Sequence, residues 1–139
     1  MTPLMLLLVA SLLTLTNAHG FMQWPLPRLV PGDANNGYQV ARSASTDPCH
    51  GLAAGSVLTS PLTGGSASID YVVTAAHNGG CTVFIDRGKG WETIGSDPSC
   101  GSTPHSGSIS VNIPSGDYSA VIRWFYQSDN GSGEQFNTW

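Results

Sequence analysis

Two histidines pose the first chemical question in this chain. His19 stands in TNAHGFMQWPLPR, directly after an apolar run, and His77 stands in TAAHNGGC. A cut after Ala18 makes His19 the amino terminus. It then offers two nitrogens from one residue, the α-amine and Nδ1, which close a chelate ring on one metal ion. An α-amine ionises near pH ~7.7 to 8, so a metal displaces its proton under mild conditions. A third nitrogen from a distant imidazole completes a T-shaped, all-nitrogen set, and planar or tetragonal nitrogen donors favour Cu(II). Zinc prefers a tetrahedron and, in structural sites, a fourth protein ligand. His77 is the candidate third donor, because Ala75, Ala76, Gly79 and Gly80 leave its imidazole exposed and its backbone free to approach another loop, and Cys81 can anchor that loop. Spacing along the chain does not bring the two loops together. His50 and His105 read as solvated loop histidines without a role.

The cut is what the start of the chain prescribes. Leu4 to Leu15 is almost wholly apolar, and Thr16 and Ala18 are small residues at the −3 and −1 positions of a secretory signal. The n-region has no Lys or Arg, so only the chain amine supplies positive charge. The run falls short of the about 20 apolar residues that span a bilayer, and no other stretch is long or apolar enough. The expectation is a secreted protein without a membrane partner, with residues 1–18 as signal and 19–139 as one domain. A secreted chain oxidises its cysteines, and there are three, Cys49, Cys81 and Cys100. Cys81 and Cys100 bracket a strand, a turn and a return, a spacing that a bridge can staple. For Cys49 three options stand: a partner beyond Trp139, a free thiol or an intermolecular link.

The elements that must position these residues read as β throughout. Of 139 residues only 10% are charged, while 17 are Gly and nine are Pro, which suits short strands joined by many turns. From His19 to His50 the chain reads as loop, broken by Pro25, Pro27, Pro31 and Pro48. Apolar residues then alternate in SASIDYVVT (66–74), CTVFIDRG (81–88) and SISVNIP (108–114), followed by YSAVIRWFYQ (118–127) and a closing EQFNTW. Turn signals fall between these runs at spacings near ten residues. The fold predicted is all-β, an immunoglobulin/fibronectin-like β-sandwich with a long loop-rich N-terminal segment. At Trp139 the pattern still reads as strand, so the chain is expected to lack its final strand. Five Lys plus Arg against nine Asp plus Glu give a net charge of −4, with no basic cluster along the sequence. This points away from a nucleic-acid partner.

The signal followed by HGFMQWPLPR, the DPCHG stretch, HNGGCTVFIDRGKGW and the GEQFN ending together resemble the lytic polysaccharide monooxygenases. These are secreted copper enzymes that cut polysaccharides oxidatively. The likeness is to the small chitin-active fungal type, whose histidine precedes GG(S)C and an Asp-x-Gly-Lys-x-Trp hairpin. Here those positions are His77, Gly79, Gly80, Cys81, Asp86, Gly88, Lys89 and Trp91. The small size and the WPLPR start also resemble the oomycete group that cuts pectin backbones. The resemblance covers most of residues 19–139.

It implies one copper ion, Cu(II)/Cu(I), held by a histidine brace of the His19 amine, His19 Nδ1 and His77. It implies O2 or H2O2 as co-substrate and electrons from an external reductant. The family places an aromatic residue on the copper axis, two residues after a Gln or Glu in the last strand. The matching catalytic pair is Glu134 and Phe136, and residues i and i+2 of a strand share a face. A one-residue slip gives Gln135 and Asn137 instead, and Phe136 also reads as a plain core residue. Phe leaves the axis without an oxygen ligand, while Glu134 supplies a carboxylate beside the metal. The family also bridges its PC-x-G cysteine to one near the C-terminus. Cys49 matches the first half and the second is missing.

The implied reaction is oxidative cleavage of a polysaccharide, pectin (homogalacturonan) first and otherwise chitin or cellulose, by a monomer. No Asp or Glu stands in the paired acid/base arrangement that glycoside hydrolysis uses. Sugar contacts are expected from Trp24, Tyr38 and the polar 32–39 loop, with Arg28 and Arg42 available to uronates; Trp24 packed under the proline loop is the competing reading. Asn130-Gly131-Ser132 is an N-glycosylation sequon in a surface loop. Two other classes fit the same residues. One is a histidine-brace copper-binding protein without catalysis, with Glu134 as a direct ligand. The other is a metal-free carbohydrate-binding module with incidental histidines.

Overall fold

The computed structural model describes residues 20–27 and 62–129, and the backbone of 135–138. Among them the chain forms seven strands and no helix: β1 (Gly20–Trp24), β2 (Gly65–Val73), β3 (Gly80–Asp86), β4 (Trp91–Asp97), β5 (His105–Ile113), β6 (Val121–Gln127) and β7 (Gln135–Thr138). They make two antiparallel sheets, β1-β2-β5 and β4-β3-β6-β7. The expected all-β architecture is therefore present.

Alternation drives the pairing. On β5, Ile109, Val111 and Ile113 are buried while Ser108, Ser110 and Asn112 face water, and on β2 Ile69, Tyr71 and Val73 are the buried set. The other sheet turns Cys81, Val83 and Ile85 of β3 and Trp124 and Tyr126 of β6 inward. Residues of both sheets join one buried cluster. Each large apolar side chain buried there contributes about 1.5–3 kcal/mol. β4 lies against β5, and β1 against β7, so the two sheets meet along both flanks. At Gly95 the approach is close, since a Cβ would stand 2.6 Å from the Ser110 carbonyl oxygen.

Three elements differ from the sequence reading. The segment after His19 begins with strand β1 rather than loop: Gly20, Phe21 and Met22 pair with Val73, Val72 and Tyr71. Met22 is buried in the core and Gly20 lies under the Trp124 ring. The strand stops at Pro25, which has no N–H for a ladder. β5 begins at His105, three residues before the expected Ser108. β6 begins at Val121, because Tyr118 belongs to the turn, its hydroxyl donating to the Pro114 carbonyl.

The ladders give the molecule two ends. Gly20, Val73 and His105 make one row across the first sheet, and Gly80, Gln127 and Gln135 make one across the second. The loop 74–79 joins these rows, so they form one end. The β3–β4 hairpin and the 114–120 turn belong to the other.

Candidate functional site

His77 sits in the loop 74–79, and its backbone is fixed on both sides. Its N–H donates to Tyr126 Oη at 2.8 Å, and its carbonyl accepts from Asp129 N–H at 2.9 Å. Asn78 N–H donates to the Gly101 carbonyl, and Gly101 N–H to that of Gly79, both at 3.0 Å. Asn78 has φ 48°, the left-handed region that Asn tolerates better than most residues. Gly79 is obligatory: a Cβ there would stand 1.8 Å from the Gln127 carbonyl oxygen. The expected bridge Cys81–Cys100 is formed, with Cα atoms 5.8 Å apart, and ties β3 to the Gly101 segment. HNGGC thus reads residue by residue as a clamped loop. The imidazole is not exposed as its small neighbours suggested: it is half-buried, with Nε2 shut off from solvent, because the loop packs against β6 and the Gly101 segment.

The Tyr126 hydroxyl that receives His77 belongs to a fully buried ring packed over Gly101, where a Cβ would meet that oxygen at 2.5 Å. Sequence reading gave Tyr126 no role, because its partner lies 49 residues away. Phe136 takes the ladder position opposite Tyr126, with Gln135 opposite Gln127 and Asn137 opposite Phe125. Gly20 opens β1 opposite Val73. The chain therefore enters β1 at the same end of the sheet where loop 74–79 leaves β2.

Among the described residues no group of three His, Cys, Asp or Glu side chains is placed to hold a metal. They supply one donor of the expected set, His77, on a loop held by backbone hydrogen bonds and with its Nε2 enclosed, which fits a ligand role. His19, with the other two nitrogens, lies outside the described residues, as do Arg28, Tyr38, Cys49, Asn130 and Glu134 and the signal segment. Trp24 is 42% exposed on β1, whereas Pro25 and Pro27 are buried; the rest of the proline-rich segment lies outside the described residues.

His105 is not the idle loop residue that the sequence suggested. Its Nδ1 lies 2.7 Å from the Thr103 carbonyl and its Nε2 3.2 Å from Tyr71 Oη, while the Tyr71 hydroxyl donates to Asp97 at 3.0 Å. A carbonyl only accepts, so Nδ1 carries a proton. Burial, then the bond and charge of Asp97, push Tyr71 up to about 12. Burial alone would raise Asp97. The Ser99 N–H and hydroxyl, the Tyr71 hydroxyl and the charge of His105 outweigh it and hold the carboxyl below its usual range. The partners lie 34 and 26 residues apart in sequence and meet only through the β2–β5 pairing and the contact between the sheets.

No family model matches this chain, and no curated protein or solved structure matches it.

Proposed function

We propose that this chain is a secreted, monomeric, copper-dependent oxidoreductase that cleaves polysaccharide, pectin first, on an immunoglobulin/fibronectin-like β-sandwich. Its metal site is a brace of the His19 amine, His19 Nδ1 and His77. The observation that carries the reading is the Gly20↔Val73 pairing. It ties the residue after His19 to the strand end from which the His77 loop departs, which supports a site shared by the two segments.

His19 and His77 would hold the copper, Cu(II)/Cu(I), which would supply redox chemistry with O2 or H2O2 as co-substrate and electrons from an external reductant. The chain's own residues do the rest. Tyr126 and Asp129 hold the His77 backbone and so fix the point from which its ring projects. In this reading Glu134 would supply a carboxylate and Phe136 an aromatic face beside the metal, and Phe136 takes the ladder position opposite Tyr126. The exposed Trp24 face offers a stacking surface on the same strand that begins at Gly20.

The test uses the full secreted chain, cut to begin at His19, loaded with copper and incubated with a reductant. Homogalacturonan, chitin and cellulose are offered, and products are read by mass spectrometry. The expected result is oxidised oligosaccharides that disappear in His77→Ala. Stoichiometric copper without products on any substrate would instead identify a copper-holding protein. No stoichiometric copper would leave the sugar-binding module.

A further inference from the structure

The four-stranded sheet carries rings on both faces, and the inner ones are sealed from solvent. Outside, the Arg123 guanidinium carbon is 5.6 Å from the Phe84 ring centre, 5.6 Å from Trp91 and 5.0 Å from Phe125, and Arg87 lies 5.3 Å over Tyr118. Trp91 and Tyr118 are 38% and 37% exposed. Carboxylates balance this cation face: Glu92 pairs with Arg87 at 2.9 Å, and Asp86 Oδ1 accepts from the N–H groups of Gly88, Lys89 and Gly90 at the hairpin tip. Inside, three fully buried rings from both sheets make a row. Tyr126 and Trp124 stand 6.0 Å apart, centre to centre, and Trp124 stacks on Tyr71 at 5.7 Å with 23° between the planes. One end of the row touches both segments of the proposed metal site. Tyr126 Oη holds the His77 N–H at 2.8 Å, and the Trp124 ring lies against Gly20, the residue after His19. At the other end the Tyr71 hydroxyl donates to Asp97 at 3.0 Å, with His105 Nε2 3.2 Å away. Between them the Trp124 indole N–H is buried, with no hydrogen-bond partner among the described residues.

From this row we infer a second function: Tyr126, Trp124 and Tyr71 carry single electrons from Tyr71 to an oxidant formed at the His77 end, and Asp97 takes the Tyr71 proton. Tunnelling falls off exponentially with the gap between groups, so rings in contact pass an electron from neighbour to neighbour. The direction follows from the protons. Trp124 has no base at its indole N–H, so it gives up an electron only as a cation and draws one in turn from Tyr71. Tyr71 has a base, and Asp97, held below the usual carboxyl range, is ionised at neutral pH. As the electron leaves Tyr71, its phenolic O–H bond breaks and the proton passes to Asp97, leaving a neutral phenoxyl radical. A peroxide-derived oxidant at the His77 end is reduced by that one electron. An external reductant then returns an electron to Tyr71 and Asp97 returns the proton. The row drains oxidant that meets no polysaccharide. Its oxidant comes from the copper chemistry proposed above, but the path itself needs no metal.

The full chain cut to begin at His19 is labelled in EDTA with a ruthenium polypyridyl photo-oxidant on its α-amine, which reacts near neutral pH ahead of Lys89. After a flash, radicals are read by transient absorption and freeze-quench EPR, with circular dichroism confirming that each variant is folded. A neutral tyrosyl radical is expected in the unsubstituted chain. Its yield should fall at least tenfold in Tyr71→Phe, which removes only a hydroxyl, and in Trp124→Phe. In Asp97→Asn the rings stay in place, and a tryptophan radical should accumulate instead, a signature that a merely structural carboxylate would not produce. An unchanged tyrosyl yield in either Phe variant, a tyrosyl radical in Asp97→Asn as in the unsubstituted chain, or no protein radical at all would overturn the inference. Because EDTA excludes the metal, the expected radicals in a chain that fails the copper assay would sink the metal site alone.

Discussion

The two ends of this molecule use the same residue types to opposite effect. At the His77 end glycine is there because nothing larger fits: Gly79 meets the Gln127 carbonyl, and Gly101 lies under Tyr126. At the hairpin end Gly88 and Gly90 have open space around the missing Cβ, and their positive φ of 84° and 96° sets the turn. One end is a cross-linked packing of backbone on backbone. The other is a hairpin held by one aspartate, with its rings and cations turned to solvent. Backbone hydrogen bonds and close approaches are concentrated where a metal ligand would have to be held still, and exposed rings at the opposite end.

Glycine replacement breaks that contrast most directly. Gly79→Ala should cost about 3 kcal/mol or more, because the clashing atom is backbone that cannot swing aside. Gly88→Ala should cost about 1 kcal/mol through φ alone; urea unfolding of both measures the gap, and equal losses would erase the distinction. Removing the bridge comes next. With a separation of 19 residues, Cys81→Ser with Cys100→Ser should cost about 3 kcal/mol. Hydrogen exchange should rise at Asn78 and Gly101 while the 87–90 hairpin amides stay as they were. Tyr126→Phe removes one oxygen and leaves the His77 N–H without its acceptor, for about 1–2 kcal/mol. If the loop positions a metal ligand, copper affinity falls as well, which isothermal titration would read.

The smallest effect sharpens the electrostatic side of the comparison. Asp97 is held below its ordinary value, so its contribution to stability is complete above about pH 4 and fades as the pH falls through its folded value. Asp97→Asn should therefore cost about 1 kcal/mol at neutral pH. The difference from wild type should vanish in acid. Denaturant curves at a series of pH values check both the size and the sign.

Most of the strands were legible, because β2, β3, β5 and β6 bury alternate residues and alternation is a local signal. The Cys81–Cys100 bridge was legible for the same reason: its partners flank one hairpin. β1 was not, since GFMQW is short and runs into prolines, and what makes it a strand is the β2 edge it meets. Nor was the His105 network, whose partners come from β2 and β4, or the cation face, which exists because β3 pairs with β6, three strands later in the chain, as well as with its hairpin partner β4. For His77 the surrounding small residues marked a tight loop. Tyr126 as its anchor could only come from the pairing of strands far apart in sequence.

Gly20 ties two unrelated demands to one position. A methyl group there would strike the Trp124 ring and the Val72 carbonyl oxygen, each at 2.8 Å. If a peptidase frees His19, the second residue of the finished protein is already committed to the hydrophobic interior. The new terminus then has a single residue of slack before it is locked in register, so a tag, a shifted cut or a substitution has to stop short of position 20 or be accommodated by the core itself.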